Sequence, residues 1–318
     1  MTSIKQKPLG SDVPFGVRVT GVDMENVRDG SVRKQLNQIF LDRGMIVFED
    51  IEPSGPMQVA LSEVFGPLQD HALKGVPRAD ENATPGLIEF KFDPEEADIF
   101  EVNGTRLCSY VPWHFDACYT RELNRGGVLR ALDIPAEGGM TGFADGIQLY
   151  GAVSSDLRDK FETLNIIYHS YLMFTKMRFG QPKSYHAIRI QKVVADLFEQ
   201  TKDAVRSIHP AIWRRDTGEK VLHVSPWQAA GIEGHEDSEG DALLEALCQE
   251  IYAKMTPYHH AWKPTDMVIW DNWRFVHSVS GHNPKYSRRV QRTTISGDYG
   301  LGRFEHGVEG NAPVGMSV

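Results

Sequence analysis

The chain predicts a mainly β fold with flanking helices, a sandwich or barrel wrapped by helical segments, and three observations carry that expectation. Short apolar runs rich in Val, Ile and aromatic residues recur after residue 86, punctuated by Gly, Pro, Asn and Asp. Only three stretches show helical apolar spacing, two before the β-rich region and one late in the chain. The fingerprints of doubly wound folds are absent: there is no GxGxxG, and Gly138-Gly139 lacks the sequel of a phosphate loop.

Taken in order, Phe15 to Val22 reads as a strand because Val17, Val19 and Val22 lie among punctuating glycines. Ser31 is placed to N-cap a helix in which Leu36, Ile39 and Phe40 share a face, closing near Gly44. MIVFED (45–50) is a short buried strand, and a second helix runs from about Ser54 to Phe65, stopped by Gly66-Pro67. The strands expected next are GLIEFKF, DIFEV, GVLRALDIP, NIIYHSYLMF, RSIHPAIWRR, KVLHVS, DMVIWDN and RRVQRTTI. Asp216-Thr217-Gly218 has hairpin-turn chemistry. The late helix, about Gly240 to Met255, carries Leu243, Leu244, Leu247 and Ile251 at core spacing.

Composition narrows the function. A formal charge of −9, from 34 basic and 43 acidic residues, repels a phosphate backbone and argues against nucleic acid as a partner. No run of about 18 apolar residues exists to cross a membrane, and the N-terminus lacks the apolar core of a signal peptide. Cys108, Cys118 and Cys248 have no CxxC spacing and leave one over, which suggests a reducing compartment and a cytoplasmic protein. Without repeats or long linkers, the 318 residues read as a single domain. Segment 171–204 reads as an excursion out of the sheet with helical character, and the tail 301–318 as loose or as an arm on a neighbouring chain.

Twelve histidines justify a search for metal ligands, and His-x-Asp occurs twice. His235-Glu236-Asp237 lies in an acidic, glycine-flanked run before a helix, where a solvated turn with capping acids explains it. Trp113-His114-Phe115-Asp116 is different: in an extended segment residues two apart point the same way, so His114 and Asp116 aim at one spot. His277, beyond the apolar run DMVIWDN, supplies a third candidate, although by itself it reads as a hydrogen-bonded core histidine. Two histidines and a carboxylate form the facial triad of non-haem Fe(II) enzymes, which leaves room for a 2-oxo acid and O2.

The arginines that follow sharpen the pattern. Arg288 and Arg292 share a face if SRRVQRTTI is a strand, with Arg289 turned outward. An inward guanidinium is costly unless it meets an anion, and a dicarboxylate chelated at its other end is such an anion. A basic edge strand with solvated arginines is the competing explanation.

WHFD, PAEGGMT (135–141), WDNWRFVH and RRVQRTT, in that order and spacing, resemble the Fe(II)/2-oxoglutarate-dependent taurine dioxygenase family, which includes the 2,4-dichlorophenoxyacetate dioxygenases. The resemblance spans roughly residues 10–300. It implies a double-stranded β-helix (jelly-roll) core, with Fe(II) held by His114, Asp116 and His277 and with 2-oxoglutarate and O2 as co-substrates. By the same resemblance Thr141 and Arg288 hold the distal carboxylate of 2-oxoglutarate. Arg292 lies beside its iron-proximal end or binds an anionic group of the substrate. His71, after FGPL, occupies the place of a sulfonate-binding histidine, and an exposed loop histidine is the alternative. The resemblance also implies a homo-oligomer.

Ala117-Cys118-Tyr119 departs from the small or hydroxyl-bearing residues common in the family after the aspartate, which makes Tyr119 a candidate for the substrate pocket. Phe90, Phe92, Phe100, Tyr110, Met173, Phe174, Met177 and Trp227 are mostly core in expectation, and those that reach the site make it wider and more aromatic than taurine needs. The implied reaction oxidatively decarboxylates 2-oxoglutarate to succinate and CO2 while hydroxylating an anionic organic acid, aromatic or of sulfonate or aryloxy type. Hydroxylation beside a heteroatom leads on to cleavage. Retention of Asp116 favours hydroxylation over halogenation. Two rivals remain from residues alone: a non-catalytic cupin-like metal-binding protein, which needs no carboxylate fork at Arg288, and a zinc hydrolase, which consumes no O2.

Overall fold

In the computed structural model, residues 4–70, 79, 87–170 and 173–307 are described. An exposed strand not foreseen from sequence, β1 (Lys5–Pro8), pairs antiparallel with β2 (Val17–Thr20). The second strand is shorter than Phe15–Val22 because Gly16 and Gly21 take positive φ and end the extended run. Helix α1 (Gly30–Arg43) is capped by Asp29 rather than Ser31: the Asp29 carboxylate accepts from the backbone N–H groups of Ser31 and Val32. The Ser31 hydroxyl is itself spent on Asp29, at 2.6 Å. Gly44 closes the helix in the left-handed region, as expected. Strand β3 (Met45–Phe48) follows, then α2 (Gly55–Phe65), whose first turn is held by the Ser54 hydroxyl accepting from Met57 N–H.

The β-rich region then supplies β4 (Leu87–Phe92), β5 (Ile99–Val102), β6 (Thr105–His114), β7 (Gly126–Asp133) and β8 (Thr141–Asp145). Two short helices, α3 (Gly146–Ala152) and α4 (Ser155–Phe161), lead into β9 (Asn165–Tyr168), a strand ending well short of Phe174. Segment 171–204 is not wholly outside the sheets. After a short helical turn, β10 (Tyr185–Arg189) adds to the edge of β5, and only α5 (Lys192–Thr201) is the expected helical excursion. RSIHPAIWRR splits into β11 (Ser207–Pro210) and β12 (Ile212–Arg214), and the hairpin at Asp216-Thr217-Gly218 joins β12 to β13 (Lys220–Leu222) as foreseen. Next come β14 (Ala229–Ile232), α6 (Ser238–Lys254), β15 (Tyr258–His260), β16 (Met267–Asp271), β17 (Phe275–His282) and β18 (Arg288–Thr293). In the tail, β19 (Arg303–Phe304) pairs with β11.

Seven strands form one sheet in the order β1-β2-β3-β16-β7-β18-β4, and six form a second, β10-β5-β6-β17-β8-β15. Side-chain alternation decides what each face meets. From β3, Met45 and Val47 join Phe143 and Phe275 of the six-stranded sheet, whereas Ile46 and Phe48 pack beneath Leu36, Phe40, Met57 and Leu61 of α1 and α2. The centre of the seven-stranded sheet, at β3 and β16, is thus buried on both sides, and the two sheets close face to face as a jelly roll. A third core, under α6, packs Leu244, Leu247 and Ile251 against Phe115, Ile166 and Tyr168. None of the described helices is long and apolar enough to cross a membrane.

Candidate metal centre

Strand pairing brings the two histidines together. His277 on β17 is the cross-strand partner of His114 at the end of β6, and their ring centroids lie 4.2 Å apart. Asp116 follows in a turn entered through Ala117, whose φ is 58°. Asn272 clamps that turn: its carbonyl oxygen accepts from Asp116 N–H at 2.8 Å, while its amide donates to Asp116 O and to Asn124. In the sequence Asn272 is only the last residue of the run DMVIWDN. Its role depends on a partner 156 residues away and is invisible to local pattern.

One ligand atom from each of His114, Asp116 and His277 falls within 4.8 Å of the others, the metal-ligand cluster found among the described residues. The imidazole Nε2 atoms lie 3.9 Å (His114) and 3.7 Å (His277) from Asp116 Oδ1. His114 Nδ1 donates to Pro112 O at 2.8 Å, which leaves a lone pair on Nε2 facing the cluster. Trp270 at 4.9 Å and Phe143 at 6.3 Å hold the His277 ring. Burial pulls both imidazoles below their ordinary value, so they are neutral donors near pH 7. Burial alone would raise the Asp116 carboxyl, but the Arg292 guanidinium that pairs with it overrides this and keeps the group ionised. Asp116 Oδ2 is buried without any hydrogen-bond partner. A carboxylate oxygen orphaned beside two neutral imidazoles fits a divalent cation, and this donor set suits ferrous iron. The other His-x-Asp is spent on structure: Asp237 caps α6 and Glu236 pairs with Arg206.

Both inward arginines are buried, and Arg289 pairs at the rim with Asp133 at 3.5 Å. Arg292 donates to Asp116 Oδ1 at 2.8 Å and sits 5.9 Å from the Trp270 ring. Arg288 is only 3% exposed, has an unpartnered Nη2, and makes no ion pair among the described residues. Burial lowers its guanidinium to about 10, still charged at neutral pH, so the site carries an uncompensated cation awaiting an anion. Gly139 packs between Pro135 and this arginine: a Cβ there would meet Pro135 Cγ at 2.6 Å and Arg288 Cδ at 3.4 Å, on a backbone with φ of 68°. Thr141, at the start of β8, is buried and accepts at Oγ1 from Trp262 Nε1 at 3.1 Å. Sequence reading passes over Trp262, because only the β8–β15 pairing shows where it lies.

Thr141, Arg288, Arg292, Tyr119 and the three cluster residues all line one cavity of about 640 Å³. Phe90, Phe92, Phe100, Tyr110, Met173, Phe174 and Trp227 line it too, while Met177 is core. Cys118 is buried, and burial raises its thiol well above the ordinary value, which leaves it unreactive. His71 lies outside the described residues.

A jelly roll with this donor set and a buried guanidinium beside it belongs to the class of non-haem iron, 2-oxo-acid-dependent oxygenases. Comparison with known proteins agrees. The family model described as "Taurine catabolism dioxygenase TauD, TfdA family" matches residues 5–294. The (S)-phenoxypropionate/alpha-ketoglutarate-dioxygenase of Sphingobium herbicidovorans is 30% identical over 289 residues, covering 90% of this chain and 93% of that protein. The alpha-ketoglutarate-dependent 2,4-dichlorophenoxyacetate dioxygenase of Cupriavidus pinatubonensis is 23% identical, covering 89% and 95%. In fold, a taurine dioxygenase from Burkholderia xenovorans superposes with a TM-score of 0.65 at 20% identity, covering 98% of this chain and 96% of that one. AAD-2, solved with Mn(II) and N-oxalylglycine, gives 0.69 at 19%, covering 94% and 99%.

The chain therefore belongs to the TauD/TfdA family. It is an Fe(II)- and 2-oxoglutarate-dependent dioxygenase acting on a small organic substrate.

Proposed function

We propose that this dioxygenase hydroxylates an anionic aromatic organic acid of the aryloxy or sulfonate kind, using His114, Asp116 and His277 to hold Fe(II). The observation that carries this reading is the pairing of two buried guanidinium groups with an aromatic wall in one cavity. Arg288 and Thr141 would take the distal carboxylate of 2-oxoglutarate, the guanidinium gaining the counter-ion it lacks and the hydroxyl donating its free hydrogen. Arg292, already on Asp116, would use its unpartnered Nε for the proximal carboxylate or the substrate's anionic group. Tyr119 forms wall, and His71 stands as a further candidate for the anionic group. Bound iron supplies the oxygen and redox chemistry that couples decarboxylation of 2-oxoglutarate to C–H hydroxylation. The protein's share is to fix the donors, orient both acids and keep the apolar cavity dry.

The relatives' names support the substrate class, naming a phenoxypropionate and 2,4-dichlorophenoxyacetate. Residues 1–318 are read as a single domain, a homo-oligomer by family resemblance, and cytoplasmic, a reading that three buried free cysteines fit. The test is O2 uptake and succinate formation with 2-oxoglutarate across aryloxy acids, sulfonates, and neutral and cationic compounds. Stimulation by aryloxy acids is expected. Stimulation only by neutral or cationic compounds would overturn the reading.

A further inference from the structure

Helix α5 has its apolar residues on one side: Val193, Val194, Leu197 and Phe198 fall within one arc, with Lys192, Asp196 and Glu199 opposite. Such a helix ordinarily buries its apolar stripe in a core. Here no residue before Thr201 is buried, and Val193 is 41% exposed. Val193, Val194 and Leu197 instead line the cavity that contains the metal-ligand cluster.

An aromatic wall links the two ends of that cavity. The His114 ring meets Trp227 edge-on at 5.0 Å, Trp227 meets Phe174 at 4.6 Å, and Phe174 meets Phe100 at 5.1 Å. All four line the same space as α5. Its volume of about 640 Å³ lies in the range that takes a drug-sized ligand, and a short diacid such as 2-oxoglutarate fills only part of it.

We propose that the substrate is an organic acid with an extended apolar tail, two aromatic rings or their equivalent in length, lying along Trp227, Phe174 and Phe100 with its far end covered by α5. The substrate is the occupant that completes the burial of the α5 stripe. Its charge points the same way: the anionic head belongs at Arg292 by the metal-ligand cluster, so the tail is directed outward along the wall. This rests on the organic-acid reading above and adds to it the length of the tail and Leu197 and Val194 as residues that set specificity.

The test compares phenoxypropionate with its para-phenoxy homologue, measuring succinate formation by wild type, Leu197→Glu, Leu197→Ala and, on the opposite face of α5, Glu199→Gln. Binding is read separately by calorimetry on anaerobic protein loaded with Fe(II) and 2-oxoglutarate, and folding by the thermal midpoint. The two-ring acid should have the lower KM in wild type. Leu197→Glu should raise that KM by about tenfold or more and the one-ring KM by much less. Leu197→Ala should shift it in the same direction by less, and Glu199→Gln should shift neither. The two-ring acid should also bind with the more negative heat-capacity change, a difference reduced in Leu197→Glu. If wild type prefers the one-ring acid, or Leu197→Glu moves both acids alike or neither, the α5 assignment is overturned and the organic-acid reading stands. If neither acid yields succinate above the uncoupled rate, the aryloxy form of the organic-acid reading fails and takes this proposal with it.

Discussion

Arg292 Nη1 lies 2.8 Å from Asp116 Oδ1, so the cluster's only carboxylate is shared between a guanidinium and the point on which the two imidazoles converge. The arginine neutralises and orients Asp116 without itself being a metal donor. Arg292→Ala should therefore weaken Fe(II) binding as well as turnover, each by about 10–100-fold, the usual cost of losing a group that orients a ligand. Anaerobic metal titration measures the first effect. Unchanged Fe(II) affinity in Arg292→Ala would remove the arginine from the support of Asp116.

Arg288 is a buried cation without an ionic partner among the described residues, which makes opposite predictions for stability and for co-substrate use. Arg288→Met should leave the protein without co-substrate as stable as wild type or more so, because a cation stripped of water gives way to an apolar chain. The same change should raise the KM for 2-oxoglutarate by roughly a hundredfold or more, the cost of losing a buried charge-assisted pair. In thermal melts, 2-oxoglutarate should stabilise the wild type and not the variant.

Trp262 donates to Thr141 Oγ1, which leaves the threonine's own hydrogen free for an acceptor in the cavity. Trp262→Phe removes that N–H and keeps most of the ring. The expected result is a several-fold rise in the 2-oxoglutarate KM, the scale of one hydrogen bond at about 1 kcal/mol, with kcat nearly unchanged. Steady-state kinetics separate the two, and a loss confined to kcat would contradict this orientation of the hydroxyl.

His209 and His223 are fully buried, and burial brings them down to about 4 and about 3 from an ordinary value of 6.5. His114 and His277 shift the same way. Below about pH 6.5 the unfolded chain takes up protons that the folded chain refuses, so stability falls with pH from there toward the folded-state values. Each such group contributes up to about 1.4 kcal/mol per pH unit in that window. The urea midpoint of metal-free protein should therefore drop between pH 7 and pH 5, and more gently in His223→Gln. A midpoint flat across that interval would contradict the burial of these rings as neutral groups.

Much of the site is legible in the chain because its chemistry is carried by short spacings. Arg288 and Arg292 are four apart on a strand, so their shared face follows from period alone, whereas β6 ends at His114 and Asp116 is aimed by the turn that Asn272 clamps rather than by an extended WHFD run. Asn272, Trp262 and the pairing of His277 with His114 are not legible, because they depend on which strands lie side by side. The Asp29 cap is missed for a related reason: Ser31 and Asp29 both suit a cap, and only the observed hydrogen bonds show which one accepts from the helix. The apolar stripe of α5 is visible in VVADLF, but its destination depends on β10 joining β5, which carries the helix to the cavity mouth.

The central claim is that His114, Asp116 and His277 hold one ferrous ion to which 2-oxoglutarate is delivered. Anaerobic titration of the protein with Fe(II) and 2-oxoglutarate, followed by the visible charge-transfer absorption of the chelate, tests it most directly. One Fe(II) per chain should develop that absorption in wild type, and folded His277→Ala should fail to develop it. An undiminished absorption in His277→Ala would place the iron elsewhere and contradict the account.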